Sequence, residues 1–314
     1  MTDHPQVGAA VDLGSNSVHV LAAAIIDHEL QPLVDESAFL GLGATVDRLG
    51  HLGPEARAEV ARTLTGYAAR ARSLDAADIT FLGTEPVRRA ADADLLVAEV
   101  EAATGVPLQV LTHEEEAYLT LIGVTGGSPV DVETLVVDIG GGSSEFCVLA
   151  PGGTPHAAGL RLGSGRLTTR YASSDPVRPA AVKAIRAATE VSLRDAPDAA
   201  PADIVAVGGT ASNLGKLTGE TQDDGRLTRS GIEHAIAILG SAPSAEITER
   251  YAINPKRGPL LAAGAIIVEG LMQRYGVDAV RVSEAGIREG AILAAAHAGP
   301  AWRDRLVTLA AGWA

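Results

Sequence analysis

The sequence has few of the residues that disulfide-bonded, nucleic-acid-binding and membrane-spanning proteins require. Its single cysteine, Cys147, excludes an internal disulfide and a zinc site with several thiolates, and we interpret it as a small core residue. Aromatic residues make up 3% of the 314 and the formal net charge is −14, which argues against base stacking and a generally basic surface. The cleanest apolar run, residues 260–268, is far shorter than the roughly 20 residues that cross a bilayer.

These shortages narrow the class of protein. The first six residues are polar and acidic, unlike a secretion signal, so we expect a cytoplasmic protein that binds neither nucleic acid nor membrane. The length suggests two domains, and Gly126-Gly127-Ser128-Pro129 is the best linker. We therefore predict domains at residues 1–125 and 126–314, with the last helix, about 300–314, packing back on the first domain.

The most informative stretch is residues 135–146, which read LVVDIGGGSSEF. An apolar β-branched run ends on Asp138, and three glycines precede Ser143, Ser144 and Glu145, which begin a second strand. Glycines let a backbone approach an anion closely and point several N–H groups at it, and a carboxylate at the strand end can hold a divalent cation. The stretch indicates a phosphate turn, although glycine-rich turns often bind no ligand.

A similar element begins the chain. Residues 7–13 predict a strand that carries Asp12, and the turn 14–17 leads into a second apolar strand at 18–26. Two such elements predict two similar halves, each contributing one loop to a phosphate site in a shared cleft. A third glycine turn, at 208–212, enters a helix.

Further local patterns predict how candidate residues are placed. Residues 41–54 read as a flexible connection, and Asp92 is positioned to cap a helix from about 93 to 103. Thr112 and Glu115 fit a capping box, which leaves Glu116 without a structural task in the cap. A long helix is predicted over 256–275, beginning with a lysine and an arginine.

The order strand, strand, strand, helix, strand, helix is predicted twice, and it resembles the duplicated actin-like, or ribonuclease-H-like, α/β fold. Seven ordered motifs further resemble the exopolyphosphatase and guanosine pentaphosphate phosphohydrolase family in its short, two-domain form. These motifs are residues 11–19, 83–84 with 88–90, 115–117, 138–145, 162–163 with 166–168, 209–210, and 288–290. Together they extend over nearly the whole chain, and the fold they imply has its active site in the interdomain cleft.

The resemblance also implies roles for individual residues. Glu116 matches the glutamate that activates the attacking water, and Arg88 matches an arginine that contacts phosphate. Asp138 and Glu145 match acids that serve metal binding and catalysis, and Asp12 is the corresponding metal-type aspartate of the first half. The implied substrate-binding residues are Gly14, Ser15, Asn16, Ser17, Gly141, Gly142, Ser143, Ser144, Arg166, Gly209, Thr210, Lys256 and Arg257.

Three basic residues of the candidate set also have structural interpretations. Arg166, Lys256 and Arg257 are equally well explained as surface charge or as members of structural salt bridges. Arg288 with Glu289 is interpreted as a structural ion pair on the last helix of the second domain. Three places depart from the family's pattern. Glu85-Pro86 stands where the family usually has small or polar residues, Tyr118 replaces a frequent arginine, and residues 283–285 read SEA where Ser-Asp-Gly is common. These changes remove positive charge or add negative charge.

The implied function is metal-dependent hydrolysis that releases the terminal phosphate of inorganic polyphosphate. The alternative within the family is removal of the 5′ terminal phosphate from guanosine pentaphosphate. An actin-fold kinase and a non-catalytic polyphosphate or nucleotide sensor are alternatives from other classes, because a fold does not determine chemistry. The implied cofactor is Mg²⁺ or Mn²⁺, with K⁺ as a further candidate, and the implied assembly is a homodimer.

Overall fold

The structure, a computed structural model, describes residues 5–26, 29–219 and 225–313. Contacts within that part of the chain divide it into two compact units. The first unit comprises the described residues of Met1–Pro129 and Ala285–Ala314, and the second comprises those of Val130–Glu284. This division differs from the predicted one for residues 285–299, which pack with the first unit.

The described strands and helices are distributed over both units. The strands are β1 (Gln6–Leu13), β2 (Ser17–Ile26), β3 (Glu29–Phe39), β4 (Asp78–Gly83), β5 (Leu108–Val110), β6 (Thr134–Ile139), β7 (Ser144–Leu149), β8 (His156–Leu160), β9 (Asp203–Val207), β10 (Arg226–Thr228) and β11 (Ala279–Ser283). The helices are α1 (Leu42–Leu49), α2 (Gly53–Arg72), α3 (Glu85–Arg89), α4 (Ala93–Thr104), α5 (His113–Thr125), α6 (Ser164–Tyr171), α7 (Pro179–Ser192), α8 (Gly209–Thr218), α9 (Arg229–Ser241), α10 (Ser244–Arg250), α11 (Leu261–Tyr275), α12 (Ile287–Ala298) and α13 (Leu306–Ala310).

Each unit is built on one mixed sheet. In the described residues the first sheet has the strand order β3-β2-β1-β4-β5 and the second has β10-β11-β9-β6-β7-β8. β1 pairs antiparallel with β2 and parallel with β4, and β6 pairs in the same two ways with β7 and β9. The predicted duplication is therefore confirmed, with β10 as an additional edge strand. In both sheets the central strand carries a candidate aspartate one residue before its carboxyl end, beside a parallel neighbour.

The central strands are buried on both faces because helices cover the sheets. In β6, Leu135, Val136 and Val137 are each 1% exposed or less. In the neighbouring strand β7, Phe146 and Cys147 are buried to the same extent. Burial raises the pKa of the Cys147 thiol to about 12, so this side chain is a neutral core group at pH 7. The interpretation of Cys147 as a core residue is confirmed.

Two glycines bring α5 and α12 into direct backbone contact. A Cβ atom at Gly123 would lie 2.0 Å from the Gly286 carbonyl oxygen, and one at Gly290 would lie 1.8 Å from the Leu119 carbonyl oxygen. A Cβ at Gly8 in β1 would lie 2.8 Å from the Ile292 side chain of α12. This close packing joins α12 to the first unit. It also fixes the position of α5, the helix that carries Glu116, against α12.

The end of the chain also packs within the first unit. The Trp313 backbone N–H donates to the Gly127 carbonyl oxygen at 2.9 Å, and the Trp313 ring stacks on His297 with the ring centroids 4.7 Å apart. The Trp313 ring leaves no room for a Cβ at Gly127, whose φ is +78°. Among the described residues, none forms a helix that is both long enough and apolar enough to cross a membrane.

Two predictions of where helices lie were wrong. Residues 42–49 form the helix α1 where a flexible connection was expected, because Gly41 and Gly50 adopt left-handed conformations that begin and end a helix. The helix expected from residue 256 begins at Leu261, after a short 3₁₀ turn at Gly258–Leu260. Lys256 and Arg257 therefore precede α11, where the turn and Pro259 prevent regular helical hydrogen bonding.

Asp92 caps a different helix from the one expected. It precedes α4 but makes no side-chain cap there; its carboxylate accepts from the backbone N–H groups of Leu52 at 2.8 Å and Gly53 at 2.9 Å, at the start of α2. Arg57 Nη1 donates to the same carboxylate at 2.6 Å. Burial opposes ionisation of Asp92, but these three donors outweigh it and lower its pKa to about 2.

We predict that Asp92→Ala lowers the free energy of unfolding by about 2 kcal/mol at pH 7, because two backbone donors and Arg57 lose their acceptor. The folded pKa lies below the ordinary value of 3.8, so the stabilisation is complete above about pH 4 and is lost as the pH falls toward 2. Urea unfolding at pH 7 and pH 3 measures both effects. Asp94→Ala, an exposed acid in the first turn of α4, is the control; an equal loss in that variant would contradict the prediction.

Candidate functional site

The second glycine loop is held from one side by the start of α6. The carbonyl oxygens of Gly140 and Gly141 accept from the backbone N–H groups of Ser164 at 3.0 Å and Arg166 at 2.9 Å. The Gly142 carbonyl oxygen accepts from Arg166 Nε at 2.9 Å. Three consecutive carbonyl groups therefore point toward α6.

This arrangement determines where the loop's N–H groups point. A planar trans peptide directs its N–H opposite to its C=O. The N–H groups of Gly141, Gly142 and Ser143 consequently point away from α6, on one side of the loop. Successive N–H groups that converge in this way form a concavity suited to an anion such as a phosphoryl group.

The first glycine loop repeats this construction. Its turn is closed by a hydrogen bond from Gly14 N to the Ser17 carbonyl oxygen at 3.1 Å, as the second is closed from Gly140 N to Ser143 O at 3.0 Å. The carbonyl oxygens of Ser15 and Asn16 accept from backbone N–H groups at the start of α1, at 2.8 and 2.9 Å. By the same peptide geometry, the N–H groups of Asn16 and Ser17 point away from α1.

The strand registers set the candidate metal ligands side by side. In the second unit, Asp138 on β6 lies directly opposite Glu145 on β7, and Glu145 is 4% exposed. Two carboxylates in directly opposed positions repel each other, and oxygen donors are the ligands that Mg²⁺ and Mn²⁺ prefer. The pair therefore fits a divalent cation, which would offset the repulsion.

The corresponding pair in the first unit has a different charge balance. Asp12 on β1 lies opposite His19 on β2, where the second unit has a carboxylate. Burial would lower the pKa of Arg288, but Glu289, Asp35 and Asp12 together raise it above its ordinary value. Asp12 thus lies in the field of a partly buried guanidinium of its own unit. The donor chemistry therefore favours the Asp138 and Glu145 pair over Asp12 as a cation site.

Glu116 is fixed in place by Arg88. Thr112 and Glu115 form the predicted capping box, with Thr112 N donating to Glu115 Oε2 at 2.8 Å and Glu115 N donating to Thr112 Oγ1 at 3.2 Å. Glu116 lies outside that cap, is 6% exposed, and accepts from Arg88 Nη1. The same Nη1 also donates to the Leu111 carbonyl oxygen.

Arg88 is therefore committed to several partners in its own unit. Nη1 has two N–H donors, and Leu111 O and Glu116 Oε1 account for both. Nη2 lies 3.0 Å from His113 Nδ1, so the first residue of α5 also contacts the candidate site. The expected contact of Arg88 with phosphate stays a prediction; the contacts described here orient a carboxylate.

The third glycine turn brings together further predicted residues of the second unit. A Cβ at Gly209 would lie 1.7 Å from Arg257 Nη1, so only glycine leaves room for the guanidinium at the start of α8. A Cβ at Gly208 would lie 2.8 Å from Asp138 Oδ1. Burial lowers the pKa of Arg257, which still leaves it charged at neutral pH. Arg257 and Asp138 thus flank the same turn.

Other candidates are placed less favourably for binding a substrate. Ser144 is fully buried and its hydroxyl donates to the Leu162 carbonyl oxygen at 2.5 Å, which gives it a structural role instead of the expected phosphate contact. Arg166 binds the glycine loop itself. Lys256 is exposed, and its backbone N–H donates to Asn254 Oδ1 at 3.0 Å, while Thr210 is 7% exposed beside α11.

Two interactions at the candidate site could not be predicted from the sequence: one is a hydrogen bond and the other is electrostatic. The Ser15 hydroxyl donates to Glu85 Oε2 at 3.0 Å, and the field of Arg288 reaches Asp12. The available signals were the charge added at Glu85 and the position of Arg288 in a motif. Neither signal specifies a partner, because these contacts join residues that are far apart in the chain.

Comparisons with known proteins identify the family of the chain. The model of the Ppx/GppA phosphatase family matches residues 21–298. The chain belongs to the Ppx/GppA phosphatase family. It is 29% identical over 296 residues to exopolyphosphatase 1 of Mycobacterium leprae, an alignment that covers 90% of this chain and 87% of the relative.

Two further Ppx/GppA relatives extend the comparison. The chain is 25% identical to the guanosine-5′-triphosphate,3′-diphosphate pyrophosphatase of Vibrio campbellii, over 90% of this chain and 58% of that protein. The crystal structure of a family member from Aquifex aeolicus superposes with a TM-score of 0.81 at 25% identity, covering 93% of this chain and 98% of the other. The actin-like, two-domain α/β fold expected from the sequence is confirmed.

We predict that Arg88→Met lowers the free energy of unfolding by about 3 kcal/mol, because it leaves the buried Glu116 carboxylate without its counter-charge. In a Glu116→Gln background the same change should cost about half as much or less, since a neutral amide needs no guanidinium. Urea unfolding of the wild type, the two single variants and the double variant gives the coupling free energy between Arg88 and Glu116. Arg62→Met, at an exposed position on α2, is the control and should change stability by less than about 0.5 kcal/mol. Additive effects of the two substitutions would contradict the pairing.

Proposed function

We propose that this Ppx/GppA phosphatase is an exopolyphosphatase, which hydrolyses the terminal phosphoanhydride bond of inorganic polyphosphate with the help of a divalent cation. The observation that carries the proposal is the fixed, buried carboxylate of Glu116. A kinase needs a base for an acceptor group and an adenosine pocket, whereas a hydrolase needs only a carboxylate that orients water beside a phosphate site. The similarity to exopolyphosphatase 1 of Mycobacterium leprae supports the same choice.

The proposed reaction gives each group of candidate residues a task of its own. Glu116 accepts a hydrogen bond from the attacking water through Oε2, while Arg88 holds Oε1 and so fixes the plane of the carboxylate. Only modest proton abstraction is needed when the transition state is loose, so the main task of Glu116 is orientation. In this proposal each glycine loop, considered by itself, donates its aligned N–H groups to phosphate oxygens, without help from a basic surface.

The second unit also supplies the proposed cation site. Asp138 and Glu145 would hold the ion, and Arg257 would add positive charge beside the third glycine turn. When held there, Mg²⁺ or Mn²⁺ would neutralise negative charge on the phosphate. The leaving phosphate chain departs on the side opposite the attacking water, as in-line displacement requires.

Guanosine pentaphosphate is the second candidate substrate. The relative from Vibrio campbellii acts, by its name, on guanosine 5′-triphosphate 3′-diphosphate, and the reacting bond is again a terminal phosphoanhydride. The experiment that decides between the two substrates measures phosphate release from polyphosphates of defined length and from guanosine pentaphosphate, with and without Mg²⁺. Faster Mg²⁺-dependent release from polyphosphate supports the first proposal, faster release from guanosine pentaphosphate replaces it with the second, and no release from either substrate rejects both.

We predict that Glu116→Gln lowers kcat for phosphate release by about 10²-fold or more, because a neutral amide cannot align and deprotonate water. The variant should remain folded, since the amide oxygen still accepts from Arg88. Glu114→Gln is the matched control: Glu114 lies in the same helical turn but is exposed, and its rate should be unchanged. Full activity of Glu116→Gln, or an equal loss in Glu114→Gln, would overturn the assignment.

A further inference from the structure

The first glycine loop has a buried carboxylate beside it that the proposed chemistry does not use. Glu85 is the first residue of α3, which follows the carboxyl end of β4, the parallel neighbour of β1. Its side chain is 5% exposed, and its Oε2 atom accepts from the Ser15 hydroxyl at 3.0 Å. A residue at the end of one central strand thus contacts the loop at the end of the next.

A chain of ion pairs continues from Glu85 away from the loop. Arg89 Nη1 donates to Glu85 Oε1 at 2.5 Å, and Arg89 Nη2 donates to Asp47 Oδ1, also at 2.5 Å. These three charges sum to −1, with the carboxylate of Glu85 at the loop end and the more exposed Asp47 at the far end. Arg89 therefore divides its single positive charge between two acids.

This arrangement opposes phosphate binding in two ways. A serine hydroxyl has one proton, and the proton of Ser15 is donated to Glu85, so a phosphate must compete for it. A phosphate oxygen that did bind Ser15 would lie within about 6 Å of Glu85 Oε2, two hydrogen-bond lengths away. At that separation two negative charges in a partly buried setting repel appreciably.

We propose that Glu85 limits the phosphate affinity of the first glycine loop, by holding the Ser15 proton and repelling the phosphate charge. The inference rests on the proposed function, in which this loop binds a phosphoryl group of the substrate. The class of ligand affected is inorganic: polyphosphate as substrate, and orthophosphate as the product that must leave. Glu85 therefore favours release over tight retention.

The test is Glu85→Gln, which keeps the size of the side chain and removes its charge. The amide can donate to the Ser15 oxygen and still accept from Arg89, so the Ser15 proton becomes available to phosphate. We expect KM for polyphosphate and the inhibition constant of orthophosphate to fall together by about three- to tenfold. A purely structural role for Glu85 would instead lower the melting temperature and raise KM.

Two further variants test the sign of the charge effect on KM and whether it depends on the position of the charge. Arg89→Gln removes the charge that compensates Glu85, so KM should rise. Asp47→Asn removes an equal charge from the far side of Arg89 and should change KM less than Glu85→Gln does. An unchanged or higher KM in Glu85→Gln, or an equal decrease in Asp47→Asn, would overturn the inference.

A binding measurement separates this inference from the proposed function. Calorimetric titration with tripolyphosphate compares the wild-type chain with Glu85→Gln and needs no turnover. Tighter binding by the variant supports the role of Glu85 even if neither protein releases phosphate, in which case only the proposed hydrolysis fails. Equal binding in an enzyme that hydrolyses polyphosphate rejects the role of Glu85 alone.

Discussion

The planar peptide group is the constraint on which both candidate phosphate loops depend. In each loop, the segment that follows the third strand of that unit binds the loop's carbonyl oxygens with its own N–H groups, and in the second loop also with Arg166 Nε. Because C=O and N–H point in opposite directions across a trans peptide, anchoring the carbonyl groups orients the next N–H groups without any side-chain donor. This explains how a chain with a net charge of −14 can offer sites for a polyanion.

Glycine contributes to the site in more than one way. At Gly209, the missing side chain leaves room for the Arg257 guanidinium. At Gly123 and Gly290, it lets α5 and α12 approach until their backbones touch, and α5 positions Glu116. Any larger residue at these two positions would push the helices apart and move the carboxylate with them. The position of Glu116 therefore depends on helix packing one to two turns further along α5.

The two halves carry the same turn but different charges. Asp12 faces His19 and lies in the field of Arg288, whereas Asp138 faces Glu145. One half of the duplication is thus compensated by a protein cation, and the other offers two carboxylates that suit a metal ion. The same contrast extends to the glycine loops, since only the first has a buried glutamate, Glu85, bonded to its serine among the described contacts.

The sequence by itself determined the three glycine turns and the capping box of α5, because each depends on residues close together in the chain. The repeated order of predicted strands and helices also indicated the duplicated α/β fold. The sequence also identified Glu116 as a residue that the cap does not require. Only the tertiary structure decided the partners: Arg88 for Glu116, Glu85 for Ser15, and α2 instead of α4 for Asp92. It likewise brought α12 to the first unit. Contacts between residues that are distant in the chain depend on how strands and helices pack, and neither periodicity nor a local motif encodes them.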